Sequence, residues 1–210
     1  MQSVETPVAR SNPQLPIGAD PGTLASGIAK MLKWLTDHPS LARTASELYG
    51  RVVTAARQSV FYRDLGVSDT PEGRYEMLVM HLFLALERVN KEGQAGTALA
   101  QKVIETFISD MDDCMREMGV GDTVVPKRVK RAAAGFYERA LIYRTAFQHA
   151  DNAALANALR DAIAGAGKIS DESARKMAEY MRKGAEHMGT LKSADVLKGN
   201  VEFPSVSASA

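Results

Sequence analysis

Apolar residues recur along this chain at the three- and four-residue intervals of amphipathic helices, and no stretch alternates as a half-buried strand would. The first stripe, Leu24, Ile28, Met31, Leu32 and Leu35, predicts a helix over residues 24–36. Asp37-His-Pro39 breaks it and opens a second, because proline fits the first turn of a helix but not its interior. Leu41, Ala45, Leu48, Val52 and Ala56 line that second helix, and a short turn over residues 61–66 closes on Gly66. Thr70-Pro-Glu72 then reads as a helix start: a hydroxyl cap, a proline at the first helical position and an acid at the positive dipole end. From there to about residue 90 the pattern is apolar nearly all round between Met77 and Leu86, which predicts a central helix with neighbours on every side. Its charged ends, Arg74, Glu76, Glu87 and Arg88, are expected in water.

Gly93 and Gly96 read as a loosened link to the next helix, residues 97–118. Its apolar stripe is Ile104, Phe107, Ile108, Met111, Met115 and Met118, and its wet face holds Glu105, Asp110, Asp112, Asp113, Arg116 and Glu117. Gly119 fits the left-handed residue just past a helix end. Pro126 opens a basic helix whose inner side is Val129, Ala133, Phe136, Ala140, Tyr143 and Phe147. Asp151 or Asn152 caps a shorter helix that runs to Ile163 and ends at Gly165 and Gly167. Ser170-Asp-Glu172 starts the last helix, to about residue 188. The expected fold is all-α: a single domain of about seven helices over residues 22–190, with a flexible leader (1–21) and a flexible tail (191–210).

Composition excludes more than it selects. With 210 residues, 45% hydrophobic and 24% charged content, the chain can bury one good core. A formal net charge of +1 means that attraction to an anionic partner must come from a local patch. One cysteine, Cys114, excludes an internal disulfide and a thiolate zinc cage, and fits a reducing compartment. The longest apolar run, residues 77–86, is shorter than the roughly 20 residues that span a bilayer. The leader has no apolar core for secretion, and Arg10 as its one base makes a poor transit peptide.

Candidate chemistry is sparse. Asp110-Met-Asp-Asp113 lacks the spacing of a calcium loop and reads as a solvated acidic face, so no metal is expected. His38, His81, His149 and His187 are not paired at ligand spacing. His81, in the most apolar helix, is either a functional base or a packed residue with one hydrogen-bonded nitrogen. Cys114 sits among aspartates that disfavour its thiolate. No nucleophile elbow, P-loop or dinucleotide glycine pattern is present, so neither an enzyme nor a cofactor is expected.

The basic cluster Lys127, Arg128, Lys130 and Arg131 is continued by Arg139 and Arg144 and interleaved with Phe136 and Tyr137. An acidic protein, ribosomal RNA phosphate or an anionic membrane would suit it; so would a solvated face partly paired with the acidic helix next door. Ten methionines, with Met111, Met115 and Met118 on one stripe and Met177, Met181 and Met188 on another, fit an adaptable groove or plain core packing.

Several motifs carry a resemblance: Phe61-Tyr-Arg-Asp-Leu-Gly66, Asp69-Thr-Pro-Glu-Gly-Arg-Tyr-Glu-Met77 and His81-Leu-Phe-Leu84. Asp110-Met-Asp-Asp113, Arg116-Glu-Met-Gly-Val-Gly-Asp122, Val125-Pro-Lys-Arg-Val-Lys130 and Phe136-Tyr137 follow. On these, the chain resembles the ubiquinol–cytochrome c chaperone family, departing from its pattern at Cys114, Met115 and Glu138. The resemblance implies a bacterial, non-enzymatic chaperone with cytochrome b as client in complex III assembly. It also implies a small helical partner and the ribosome as contacts, with no DNA partner. A place in the cytoplasm, peripheral to the inner membrane, is expected. Asp110, Asp113, Arg116, Lys127, Arg128, Lys130 and Arg131 are the expected partner or client contacts. The alternative is an adaptor that binds RNA or an anionic membrane through the helix after Pro126.

Overall fold

The computed structural model describes residues 38–205; the helix expected over 24–36 and the leader lie outside them. In chain order the elements are α1 (His38–Ala56), α2 (Ser59–Arg63), α3 (Pro71–Val89), a 3-10 turn (Asn90–Glu92), α4 (Gly93–Glu117), α5 (Val125–Phe147), α6 (Ala153–Ile163), α7 (Asp171–Thr190) and α8 (Ser193–Val196). No strand occurs among the described residues, and the fold is all-α. The local signals act as expected. Thr70 accepts a hydrogen bond from the Gly73 N–H with Pro71 in the first turn, and Ser170 accepts one from Ser173. After α4, Gly119 takes φ 76°, with Gly119 N–H on the Arg116 carbonyl and Val120 N–H on that of Met115. That pair of bonds is a Schellman closure, and it needs the left-handed glycine.

Helix α3 is the axis of the fold. Every residue from 77 to 86 is buried, and the helix meets α4, α5, α6 and α7. Each of its leucines, methionines and valines contributes about 1.5–3 kcal/mol by leaving water. The polar member of this run is His81, which is fully buried. Its Nδ1 lies 2.7 Å from the Met77 carbonyl and its Nε2 2.9 Å from the Tyr180 hydroxyl. The arrangement is that of a neutral imidazole: Nδ1–H donates to the carbonyl and the Tyr180 hydroxyl donates to Nε2. Both nitrogens are bonded, one more than expected. Phe61 and Phe203 stand edge-on to the ring, with centroids 5.2 and 5.1 Å away.

Four expectations are corrected. Glu76 and Arg88 do not return to water; both are buried. Arg88 donates through Nε to the Met188 carbonyl at 2.7 Å and through Nη2 to the Leu191 carbonyl at 2.8 Å, and it also pairs with Glu92. The last carbonyls of a helix lack partners in that helix, and a buried guanidinium supplies them at the end of α7. Gly96 is not a loosening element but a packed position inside α4: a Cβ there would stand 2.0 Å from the Val89 carbonyl oxygen. The tail from residue 191 is not loose along its described part. It forms α8, buries Val196 and Val201, and lays Phe203 on His81. Finally, the stripe of α4 enters the core earlier than expected, at Leu99, Ala100 and Val103, and leaves it earlier, so that Met118 is 57% exposed.

The buried histidine predicts an acid response. Desolvation lowers the His81 pKa from 6.5 to about 4. Between those values the unfolded chain binds a proton that the folded chain refuses, so stability is present in full above about pH 6.5 and falls as pH drops through the window. The loss attributable to this group is about 3 kcal/mol by pH 4. Urea unfolding of the wild type and of His81→Gln at stepped pH checks it. The variant, though weaker at pH 7, loses the part of the slope between pH 6.5 and 4 that belongs to one histidine.

Candidate functional site

The early departure of α4 from the core opens the molecule. The second half of α4, the first half of α5 and the start of α3 line a groove of about 1230 Å³ that also reaches α1 and the end of α6. The two helices stay clamped where Phe107 meets Phe136, with ring centroids 5.9 Å apart. Beyond that clamp, Met111, Cys114, Met115 and Met118 line the α4 side, and Val53, Ala56 and Leu78 contribute apolar floor and wall.

The floor is polar where α3 faces α5. Glu76 accepts from Nε and Nη2 of Arg139, both at 3.2 Å, in a two-pronged ion pair. Burial pushes the Glu76 carboxyl above its ordinary pKa, and the guanidinium beside it opposes that shift. Tyr75 donates to the Ala132 carbonyl at 2.7 Å. A Cβ at Gly135 would meet the Tyr75 hydroxyl oxygen at 2.7 Å, so glycine is what lets α5 pass this close to the ring. Farther along α5, Arg144 reaches Glu87 on α3.

The candidate residues divide into groups. Asp110, Arg128 and Arg131 line the groove. Asp110 accepts from the Tyr49 hydroxyl at 2.7 Å, which ties α4 to α1, and burial is the first cause raising the Tyr49 pKa, ahead of that bond. Arg116, in the last turn of α4, pairs with Asp112 on the same helix and with Asp122 in the turn that follows, at 2.5 Å each, and lies outside the groove. Asp113, Lys127 and Lys130 are exposed and also lie outside it. Of the alternatives for the basic cluster, partial pairing with the acidic helix next door does not form among the described residues. The α4 acids Asp110 and Asp112 have other partners, and none of Lys127, Arg128, Lys130 and Arg131 pairs with a described residue. Burial, reinforced by Asp110 and Glu117, raises the Cys114 thiol pKa, so the thiol is a poor nucleophile.

Tyr75, Glu76, Gly135 and Arg139 are the site residues that sequence reasoning missed. The available signal was Gly135 at the end of an alanine run in a helix interior, where glycine costs about 1 kcal/mol and therefore marks a close approach.

Among known proteins, residues 63–203 match the family described as Ubiquinol-cytochrome C chaperone. Two vertebrate proteins, each named ubiquinol-cytochrome c reductase complex assembly factor 1, are 22% identical over 172 residues, which is 82% of this chain. The stretch covers 83% of the Xenopus laevis protein but 56% of the mouse protein, so the chain spans little more than half the length of the latter. The crystal structure of the Cbp3 homolog from Brucella abortus superposes with a TM-score of 0.74 at 34% identity, over 85% of this chain and 98% of that one.

The floor pair predicts an asymmetry between single and double substitution. Glu76→Ala leaves the Arg139 guanidinium, 23% exposed, with only the exposed Glu138 carboxylate at 3.7 Å and is expected to cost about 2–3 kcal/mol in urea unfolding. Glu76→Leu combined with Arg139→Met removes both charges and is expected to recover most of that loss.

Proposed function

The chain belongs to the ubiquinol–cytochrome c chaperone family, and on that footing we propose that it is a non-catalytic assembly chaperone for ubiquinol–cytochrome c reductase, with newly made cytochrome b as its client. The family match over residues 63–203 carries this reading, and relatives named as assembly factors of that reductase support it. A membrane subunit awaiting assembly exposes apolar helices that need temporary cover. The groove is large enough to give that cover, since about 1230 Å³ leaves room for about two to three turns of a helix. Methionines on its α4 side adapt to apolar surfaces of varied shape, because the thioether chain is unbranched and polarisable.

Asp110, Arg128 and Arg131 supply polar contacts around the client. The titratable groups favour holding over chemistry, since the Cys114 thiol is raised in pKa and His81 is sealed in the core. Deleting the gene and recording reduced-minus-oxidised haem spectra tests the assignment. The cytochrome b band and intact reductase are expected to fall together; normal levels of both would sink it. A second measurement isolates the groove. Met115→Lys with Met118→Lys is expected to weaken capture of cytochrome b at least ~10-fold, because an apolar seat then receives two charges. Helix content by circular dichroism is expected to stay at the wild-type level.

A further inference from the structure

The large apolar side chains that stand exposed among the described residues are Met118, Val124, Tyr137, Leu141 and Ile142, and all fall between residues 118 and 142. Single exposed apolar residues are ordinary; their concentration on one element and the turn before it is not. The same stretch carries Lys127, Arg128, Lys130 and Arg131, all exposed and none in an ion pair with a described residue. The helical period sorts α5 into two outer flanks. Arg128, Arg131 and Gly135 face the groove. Lys127, Lys130, Tyr137 and Leu141 follow at steps of three, seven and four residues on an exposed stripe that borders it, where Ala134 of the same stripe forms part of the lining and these four do not. This second flank runs about 21 Å along the helix.

We propose that the Lys127–Lys130–Tyr137–Leu141 flank of α5 docks on an anionic lipid bilayer. The lysines meet lipid headgroups, while Tyr137 and Leu141, 57% and 63% exposed, enter the boundary between headgroups and acyl chains. Charge and shape select this occupant. Of the six cations on α5, Arg139 and Arg144 are held by Glu76 and Glu87 and Arg128 and Arg131 line the groove, which leaves Lys127 and Lys130 on this stripe for an external anion; the one acid on the helix, Glu138, lies 3.7 Å from Arg139. RNA would satisfy the charges and stack on Tyr137, but it would leave Leu141 in water. A protein helix is better seated in the groove. A bilayer accepts the ridge of a helix and rewards basic and apolar groups on one stripe. The exposed acids Asp113 and Glu117 on α4 are repelled by the same surface, which tilts the contact towards Tyr137 and Leu141. The proposal does not depend on the chaperone reading.

Co-sedimentation of the full chain with vesicles is the test. One set is phosphatidylcholine alone; the other carries roughly one third phosphatidylglycerol. Binding to the anionic set, weak or absent binding to the neutral set and release by salt are expected. Each lysine near the surface contributes about fivefold, so Lys127→Gln with Lys130→Gln is expected to weaken binding by roughly 30-fold. Tyr137→Ser with Leu141→Ser, a separate variant, is expected to weaken it by about 10-fold or more. Both variants alter exposed positions, and wild-type helix content by circular dichroism confirms that they fold. No binding to anionic vesicles at low salt overturns the proposal. So does equal binding to both lipid sets, or binding that both variants leave unchanged. Capture of RNA or of an acidic protein through these residues, with vesicles left unbound, also overturns it.

Discussion

Helix α3 has no side that can face water between residues 77 and 86, and the rest of the structure follows from covering it. A helix apolar all round must be enclosed, and α4, α5, α6 and α7 provide the enclosure. The polar residue in that run must then find its partners inside. His81 does so through the Met77 carbonyl and the Tyr180 hydroxyl, which joins the axis to α7 by a buried hydrogen bond. The described end of the chain completes the same site, because Phe203 closes over the imidazole. A residue that reads as a candidate base is thus an internal tie, neutral because it is dry.

The charged residues flanking α3 extend the tie outward. Arg88 holds the end of α7 by two carbonyls, and Glu76 and Glu87 hold α5 by Arg139 and Arg144. These contacts consume the cations on the inner and later parts of α5. The cations near its start form no ion pair with a described residue, while Asp112 is paired with Arg116 and Asp110 is bonded to Tyr49. The opposition of charge between α4 and α5 that is so visible in the sequence is therefore not an intramolecular clasp. Each helix settles its charges elsewhere, and the surplus on α5 is turned outward.

Helix order, caps and the central place of α3 were legible because they depend on local chemistry and on periodicity. Thr70, Ser170, Gly119 and Pro126 do what their types and positions imply. What escaped were features set by one element meeting another. Glu76 and Arg88 look like wet helix ends because their partners are 63 and 100 residues away. Residues 191–203 look like a tail because small and polar residues hide the few that matter, Val196, Val201 and Phe203. The stripe of α4 could be read, but not where the helix leaves its neighbours, and the groove exists because of that departure. The basic cluster was found by composition; only the structure separates Arg128 and Arg131, which line the groove, from Lys127 and Lys130, which do not.

That separation makes α5 a shared wall. Its inner side meets α3 through two ion pairs and the close pass of Gly135 over the Tyr75 hydroxyl. One helix that lines a groove and carries a basic, apolar stripe beside it sets the offset between the two surfaces. Something bound in the groove and something met by the ridge are then positioned relative to each other by one helix, without any moving part. For a client with apolar helices, a ridge resting on a bilayer would keep the groove beside the medium in which those helices belong. The adaptable methionines lie on the α4 wall, where Met111 still packs against the core and Met115 and Met118 do not. Position is set on the α5 side, and tolerance lies on the side that must accept varied surfaces.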